Sequence, residues 1–202
     1  HGETMANLAS SRAVTFIDVE TTHLDASRSA ILSISIITDW ADGRQDVWST
    51  KIKPKDIEIE FASSEALSVC KYSTEEWSDA PQLEEVADKI IKRLTWGPIV
   101  GHNVQFDIDH ISASLKRHGY TEAKRNEDIT PTNKNFRIGY PIIDTCALSF
   151  IFLPTERQNL NALREYFDID TSRAHSADTD AEDCRHVFYS IVNDTIGKID
   201  RS

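Results

Sequence analysis

The run Ala-Val-Thr-Phe-Ile-Asp-Val-Glu-Thr-Thr-His-Leu at positions 13–24 leaves the chain few choices. Its apolar residues Val14, Phe16 and Ile17 read as a strand, which leads into Asp18 and Glu20, two carboxylates one residue apart. Alternate side chains of a strand share a face, so Asp18 and Glu20 project side by side while Val19 points into the opposite packing layer. Neighbouring carboxylates repel unless one holds a proton or a cation lies between them. Oxygen ligands of this kind suit a hard divalent cation. A solvated Asp-x-Glu at a strand end would need neither.

The length, 202 residues, suggests one domain, and 40% hydrophobic residues suffice for a sizeable core. Lys and Arg number 22 against 33 Asp and Glu, a formal charge of −11. Bulk electrostatics will therefore not coat nucleic acid with this chain. If the substrate is a polyanion, metal ions and a local basic patch must supply the attraction. Cys70, Cys146 and Cys184 are widely spaced and odd in number, which reads as reduced thiols in a cytoplasmic protein. No signal peptide or membrane span is expected, since every apolar run is short or carries a charge. The residues before Met5 read as an appended leader. Residues 1–10 are therefore set aside, 11–196 are expected to form a single domain, and 197–202 a short tail.

Three strands, the first within 13–24 ahead of a polar turn at 24–29, the others at 30–38 and 45–52, are expected to form an antiparallel meander around the turn signal Asp42-Gly43. Lys51, Lys53 and Lys55 read as a solvated edge. Residues 61–80 should hold short helical turns. Leu83, Val86, Ile90, Ile91 and Leu94 define one face of a helix that Gly97-Pro98 stops. Ile99 and Val100 form a short strand into Gly101-His102-Asn103, and 106–118 reads as a helix. Residues 120–140 lack periodicity. Lys116 to Arg137 contains six basic residues against three acids, which fits either a solvated loop or a phosphate-contacting one. A short apolar segment at 141–144 precedes helices at 145–153, 159–166 and 177–192. The order predicts a mixed sheet with helices on both sides.

Three acidic stations stand apart in the chain: Asp18 with Glu20, Asp107 in Gly-His-Asn-Val-Gln-Phe-Asp, and Asp180 in His175-Ser-Ala-Asp-Thr-Asp. Each has a plain explanation as a helix-terminal or surface carboxylate. Taken together, with Ile143-Asp144-Thr145 and Leu160-x-x-Leu163 between them, they resemble the three motifs of the DnaQ-like 3′–5′ exonucleases of the DEDDh type. The resemblance spans residues 13–192. It implies a ribonuclease-H-like α/β fold, a mixed five-stranded sheet flanked by helices. It also implies that Asp18, Glu20, Asp107 and Asp180 bind two divalent metals, Mg2+ with Mn2+ as a substitute, and that His175 is the general base. Five residues along a helix rotate by about 140°, so His175 and Asp180 converge only if His175 lies in the loop ahead of the helix. By the same resemblance Thr21 and Leu24 lie beside the terminal nucleotide, and Asn103 and Phe106 position the next base. For Leu24 and Phe106 ordinary packing is an equal alternative. The four tryptophans, Trp40, Trp48, Trp77 and Trp96, read as core or surface aromatics rather than base platforms.

Two residues depart from the family pattern. His23 stands where glycine is frequent, and His110 stands where an apolar residue is usual. The expected activity is release of nucleoside 5′-monophosphates from the 3′ ends of single-stranded or frayed DNA. RNA 3′-end trimming is an alternative, and a polymerase-docked accessory subunit is a reading of another class. A polymerase or homodimer partner fits either, and a membrane partner fits neither.

Overall fold

The computed structural model describes residues 12–172 and 174–199. The expected leader and the end of the expected tail fall outside the described residues. Strands β1 (Ala13–Thr21), β2 (Ile31–Trp40) and β3 (Gln45–Lys51) form the expected meander. Helices α1 (Asp56–Glu60), α2 (Ser64–Val69) and α3 (Leu83–Leu94) follow. Next come β4 (Ile99–Gly101), α4 (Val104–Arg117) and two short strands, β5 (Thr121–Glu122) and β6 (Asn135–Phe136). The chain closes with β7 (Ile142–Asp144), α5 (Thr145–Phe152), α6 (Leu160–Tyr166) and α7 (Ala177–Ile199).

The main sheet has five strands in the order β3-β2-β1-β4-β7. β1 pairs antiparallel with β2 and parallel with β4, and β4 pairs parallel with β7. β1 is thus the central strand and explains its own sequence, because both of its faces must be covered. Ile17 and Val19 pack with Ile34, Ile36, α3 and α4 in one layer. Phe16 points the other way and packs with Ile37, Val100 and the α7 residues Ala181 and Cys184. Asp18 and Glu20 share the parity of Phe16, so they face the α7 layer, and α7 brings Asp180.

Local chemistry sets the element ends. α3 buries Leu83, Val86, Ile90, Ile91 and Leu94, as its period requires, and starts at a capping box in which Gln82 N donates to Glu85 Oε2 at 2.7 Å. After it, Gly97 lies so close to β1 that a Cβ there would sit 2.2 Å from Ala13 O. On β2, Asp39 Oδ2 accepts from Arg185 Nε at 2.7 Å and Tyr189 Oη at 2.9 Å, which fastens α7 to the sheet.

Some expectations shift. Residues 120–140 carry the parallel β5–β6 pair rather than a structureless loop. Two basic residues of the stretch from Lys116 to Arg137 serve the fold: Arg137 donates to the carbonyls of Lys124 and Glu127, each at 2.6 Å, and Lys116 pairs with Glu122. α1 was not expected at all, and it buries no residue that a periodicity could reveal. α7 runs to Ile199 rather than ending near 192. Among the described residues no helix is long and apolar enough to cross a membrane.

Candidate active site

The three acidic stations meet at the C-terminal end of β1. Asp18, Glu20 and Asp180 each place a carboxylate oxygen within 4.8 Å of the others. Asp107 is not one of that trio but lies against it, because its Oδ1 accepts the Val19 amide at 2.9 Å. That bond joins the first turn of α4 to the strand between the two β1 acids.

This clustering is electrostatically unfavourable as it stands. Asp18 Oδ2 is buried without a hydrogen-bond partner. Burial raises the Asp18 pKa well above the ordinary carboxylate value, and the charges of Asp107, Asp180 and Glu20 raise it further. Burial also raises Asp107 and Glu20, the latter opposed by a hydrogen bond from the Cys70 thiol to Glu20 Oε2 at 3.2 Å. Oxygen-only donors, gathered this closely with one buried oxygen lacking a partner, fit a hard divalent cation.

Asp180 is treated differently. Arg164, 1% exposed, donates from NH2 to Asp180 Oδ1 at 2.5 Å and from Nε to Asp183 Oδ2 at 2.7 Å. Its NH1 donates to Asn161 Oδ1 at 2.8 Å. The sequence reading missed Arg164, and no motif marks it, since its acidic partners lie 16 and 19 residues away. Cys70 was noted only as a reduced thiol. Burial and the neighbouring Glu20 carboxylate push that thiol up to about 12, so it stays protonated and donates.

His175 lies in the segment ahead of α7, as the spacing argument required. It is exposed, in the left-handed region at φ 70°, and its amide donates to Asp180 Oδ1 at 3.1 Å. His175 also borders an open groove that includes Glu20 and Cys70.

Thr21 and Leu24, expected beside a terminal nucleotide, line a second cavity next to Glu20, together with Phe106, expected at the next base. Thr21, Leu24, Ala66, Val69 and Phe106 border this space of about 200 Å³. Leu24 is 79% exposed, too open for a packing residue. The Thr21 hydroxyl donates to His23 O at 3.0 Å, so toward a ligand it can only accept. Asn103, at φ 56°, donates its amide to Asp144 Oδ1 at 2.8 Å and caps the turn into α4; it is not among the cavity's lining residues. The two departures from the family pattern meet each other. His110 is 1% exposed and bridges Phe106 O at 2.8 Å and His23 O at 3.0 Å, joining α4 to the β1–β2 turn.

The fold is a ribonuclease-H-like sheet with a cluster of carboxylates at the end of its central strand. The chain matches the exonuclease family RNase_T over residues 15–188 and belongs to that family. DNA polymerase III PolC-type of Lacticaseibacillus paracasei is 29% identical over 189 residues, covering 92% of this chain and 12% of the relative. DNA polymerase III subunit epsilon of Treponema pallidum is 23% identical over 184 residues, covering 89% of this chain and 76% of the relative. The chain thus spans only about an eighth of the PolC relative. The fold is shared with E. coli Exonuclease I in complex with a dT13 oligonucleotide, at a TM-score of 0.69 and 16% identity over 90% of this chain and 40% of that one. The chain thus carries an exonuclease-family domain of the DnaQ-like type, a family that generally uses divalent metals.

Proposed function

We propose that this chain removes nucleoside 5′-monophosphates one at a time from the 3′ end of single-stranded or frayed DNA. The observation that carries the reading is the convergence of the Asp18, Glu20 and Asp180 oxygens within 4.8 Å around a buried, unpartnered Asp18 Oδ2. Asp18, Glu20, Asp107 and Asp180 would hold two divalent cations, Mg2+ or Mn2+ in its place. When bound, such ions neutralise the phosphodiester and ease ionisation of water.

The chain's own groups do the rest. His175, exposed at the edge of the cluster, takes the proton from the attacking water, a role suited to an imidazole near neutral pH. Leu24 wedges against the terminal base, and Phe106, which borders the same cavity beside Glu20, stacks the next one. The Thr21 hydroxyl accepts from the 3′-hydroxyl, its own proton being held by His23 O. Asn103 acts through the backbone of the turn that presents Phe106 and Asp107. Polymerase polypeptides among the relatives support DNA over RNA as the substrate and a polymerase as a partner.

The test uses 5′-labelled single strands of DNA and RNA of one sequence, with Mg2+ and with excess chelator. Stepwise shortening of the DNA that chelator abolishes is expected. Undiminished cleavage in chelator, or cuts inside the strand, would overturn the proposal.

A further inference from the structure

The β1–β2 turn has two sides. On one, Leu24 borders the cavity beside Glu20. On the other, Ser27, Arg28 and Ser29 face Lys55, Phe61 and Arg117 across a separate cleft of about 290 Å³. The segment from α1 to α2 walls both, giving Phe61 to the cleft and Ala66 to the cavity.

Charge sets this cleft apart in a chain of formal charge −11. Arg117 donates to Ala26 O at 2.9 Å, to Ser29 O and to Ser114 Oγ at 3.2 Å, all neutral acceptors. Arg28 lies over the Phe61 ring, 5.9 Å from its centroid, and Phe61 is 52% exposed. Neither guanidinium has a carboxylate within ion-pair distance among the described residues. The cleft's other fixed cation is matched, since Lys55 pairs with Glu84 at 3.1 Å; the His118 ring lies 3.5 Å from the same carboxylate. Its one lining acid, Glu58, is turned onto the Lys55 amide at 2.8 Å. Both serine hydroxyls are already engaged, Ser27 on Asp25 Oδ1 at 2.7 Å and the buried Ser29 on Ala30 O at 3.2 Å, so the cleft offers two guanidiniums outside ion-pair distance of any described carboxylate and a half-exposed aromatic ring, which suit a phosphodiester backbone with a base to stack.

Position selects which backbone. If the terminal nucleotide of the cut strand sits beside Leu24, as proposed above, a duplex must part at this turn. The unpaired partner strand then runs along the turn's outer side. We infer that the cleft of Arg28, Phe61 and Arg117 binds the strand opposite the one being shortened, so that frayed or 3′-recessed duplexes with a 5′ overhang are held as substrates. This inference rests on the proposed exonuclease reading.

Arg28→Glu and Phe61→Ala test it, both at exposed side chains. The readout is the ratio of kcat/KM on a 3′-recessed duplex to that on the same cut strand alone. Arg28→Glu is expected to lower this ratio by about threefold or more and to flatten the salt dependence on the duplex by about one phosphate contact. Phe61→Ala is expected to lower the ratio by a smaller factor. An unchanged ratio would overturn the inference, as would equal losses on both substrates, which would place the cut strand itself in the cleft. Should the native protein cut neither substrate, the exonuclease reading fails on its own. The cleft is then judged by fluorescence anisotropy in chelator, where Arg28→Glu must weaken binding of the overhanging duplex more than of the single strand.

Discussion

Two carboxylates of the same cluster handle their charge in opposite ways. Asp180 has a buried guanidinium on its Oδ1, and that same Arg164 also holds Asp183. Asp18 has a buried Oδ2 with no partner and three acids around it. The first station is complete as a piece of protein structure. The second is incomplete until something positive arrives. The difference is one of charge balance: Asp180 on α7 is met by a protein ion pair, whereas Asp18 on β1 has only the more distant field of Arg164 against three acids, so of the four proposed ligands it is the one the protein leaves least compensated.

The sharpest way to break this comparison is Asp18→Ala. It removes the unpartnered ligand, and turnover on single-stranded DNA should fall below detection, with Mn2+ binding weakened in calorimetry. Turnover near the native rate would mean that the incomplete station recruits nothing. Next in size is His175→Ala, which leaves both carboxylate stations intact. It should lower kcat by about 10²–10⁴-fold, the range for a positioned base, while Mn2+ still binds.

Arg164→Met attacks the complete station. Stripping one partner from a buried ion pair costs about 3–5 kcal/mol, here read by urea unfolding. The loss should appear with and without metal, and Asp183→Asn in the same chain should restore part of it. The smallest effect concerns the incomplete station in the absence of metal. The Asp18 pKa is raised in the folded chain, so protonation favours folding; that contribution is present at low pH and is lost as pH rises through the raised value. In chelator near neutral pH, Asp18→Asn should therefore raise the melting temperature, by about 2–4 °C for each kcal/mol relieved. The gain over the native chain should shrink as pH falls. A gain independent of pH would show that Asp18 is not strained by its charge.

Periodicity was sufficient where an element buries a face. β1 and α3 follow their apolar patterns, and the period-2 argument for Asp18 and Glu20 also explains why α7 is the helix that meets them. Pattern is silent where nothing is buried or where pairing is distant. α1 buries no residue, and β5 finds β6 some fourteen positions away across a polar stretch. α4 starts two residues before its expected position because Asn103 takes the left-handed conformation and turns the chain early. The acids of the site were legible through their motifs. Arg164 was not, since only folding brings α6 against α7. The joint meaning of His23 and His110 was also hidden, because their contact spans 87 residues.

One carboxylate far from the chemistry bears on how the site can open. Asp39 grips Arg185 and Tyr189 on successive turns of α7, so the helix behaves as a post set into the sheet and not as a sliding bolt. The site therefore cannot open by sliding α7, and with it Asp180, along the sheet that carries Asp18 and Glu20.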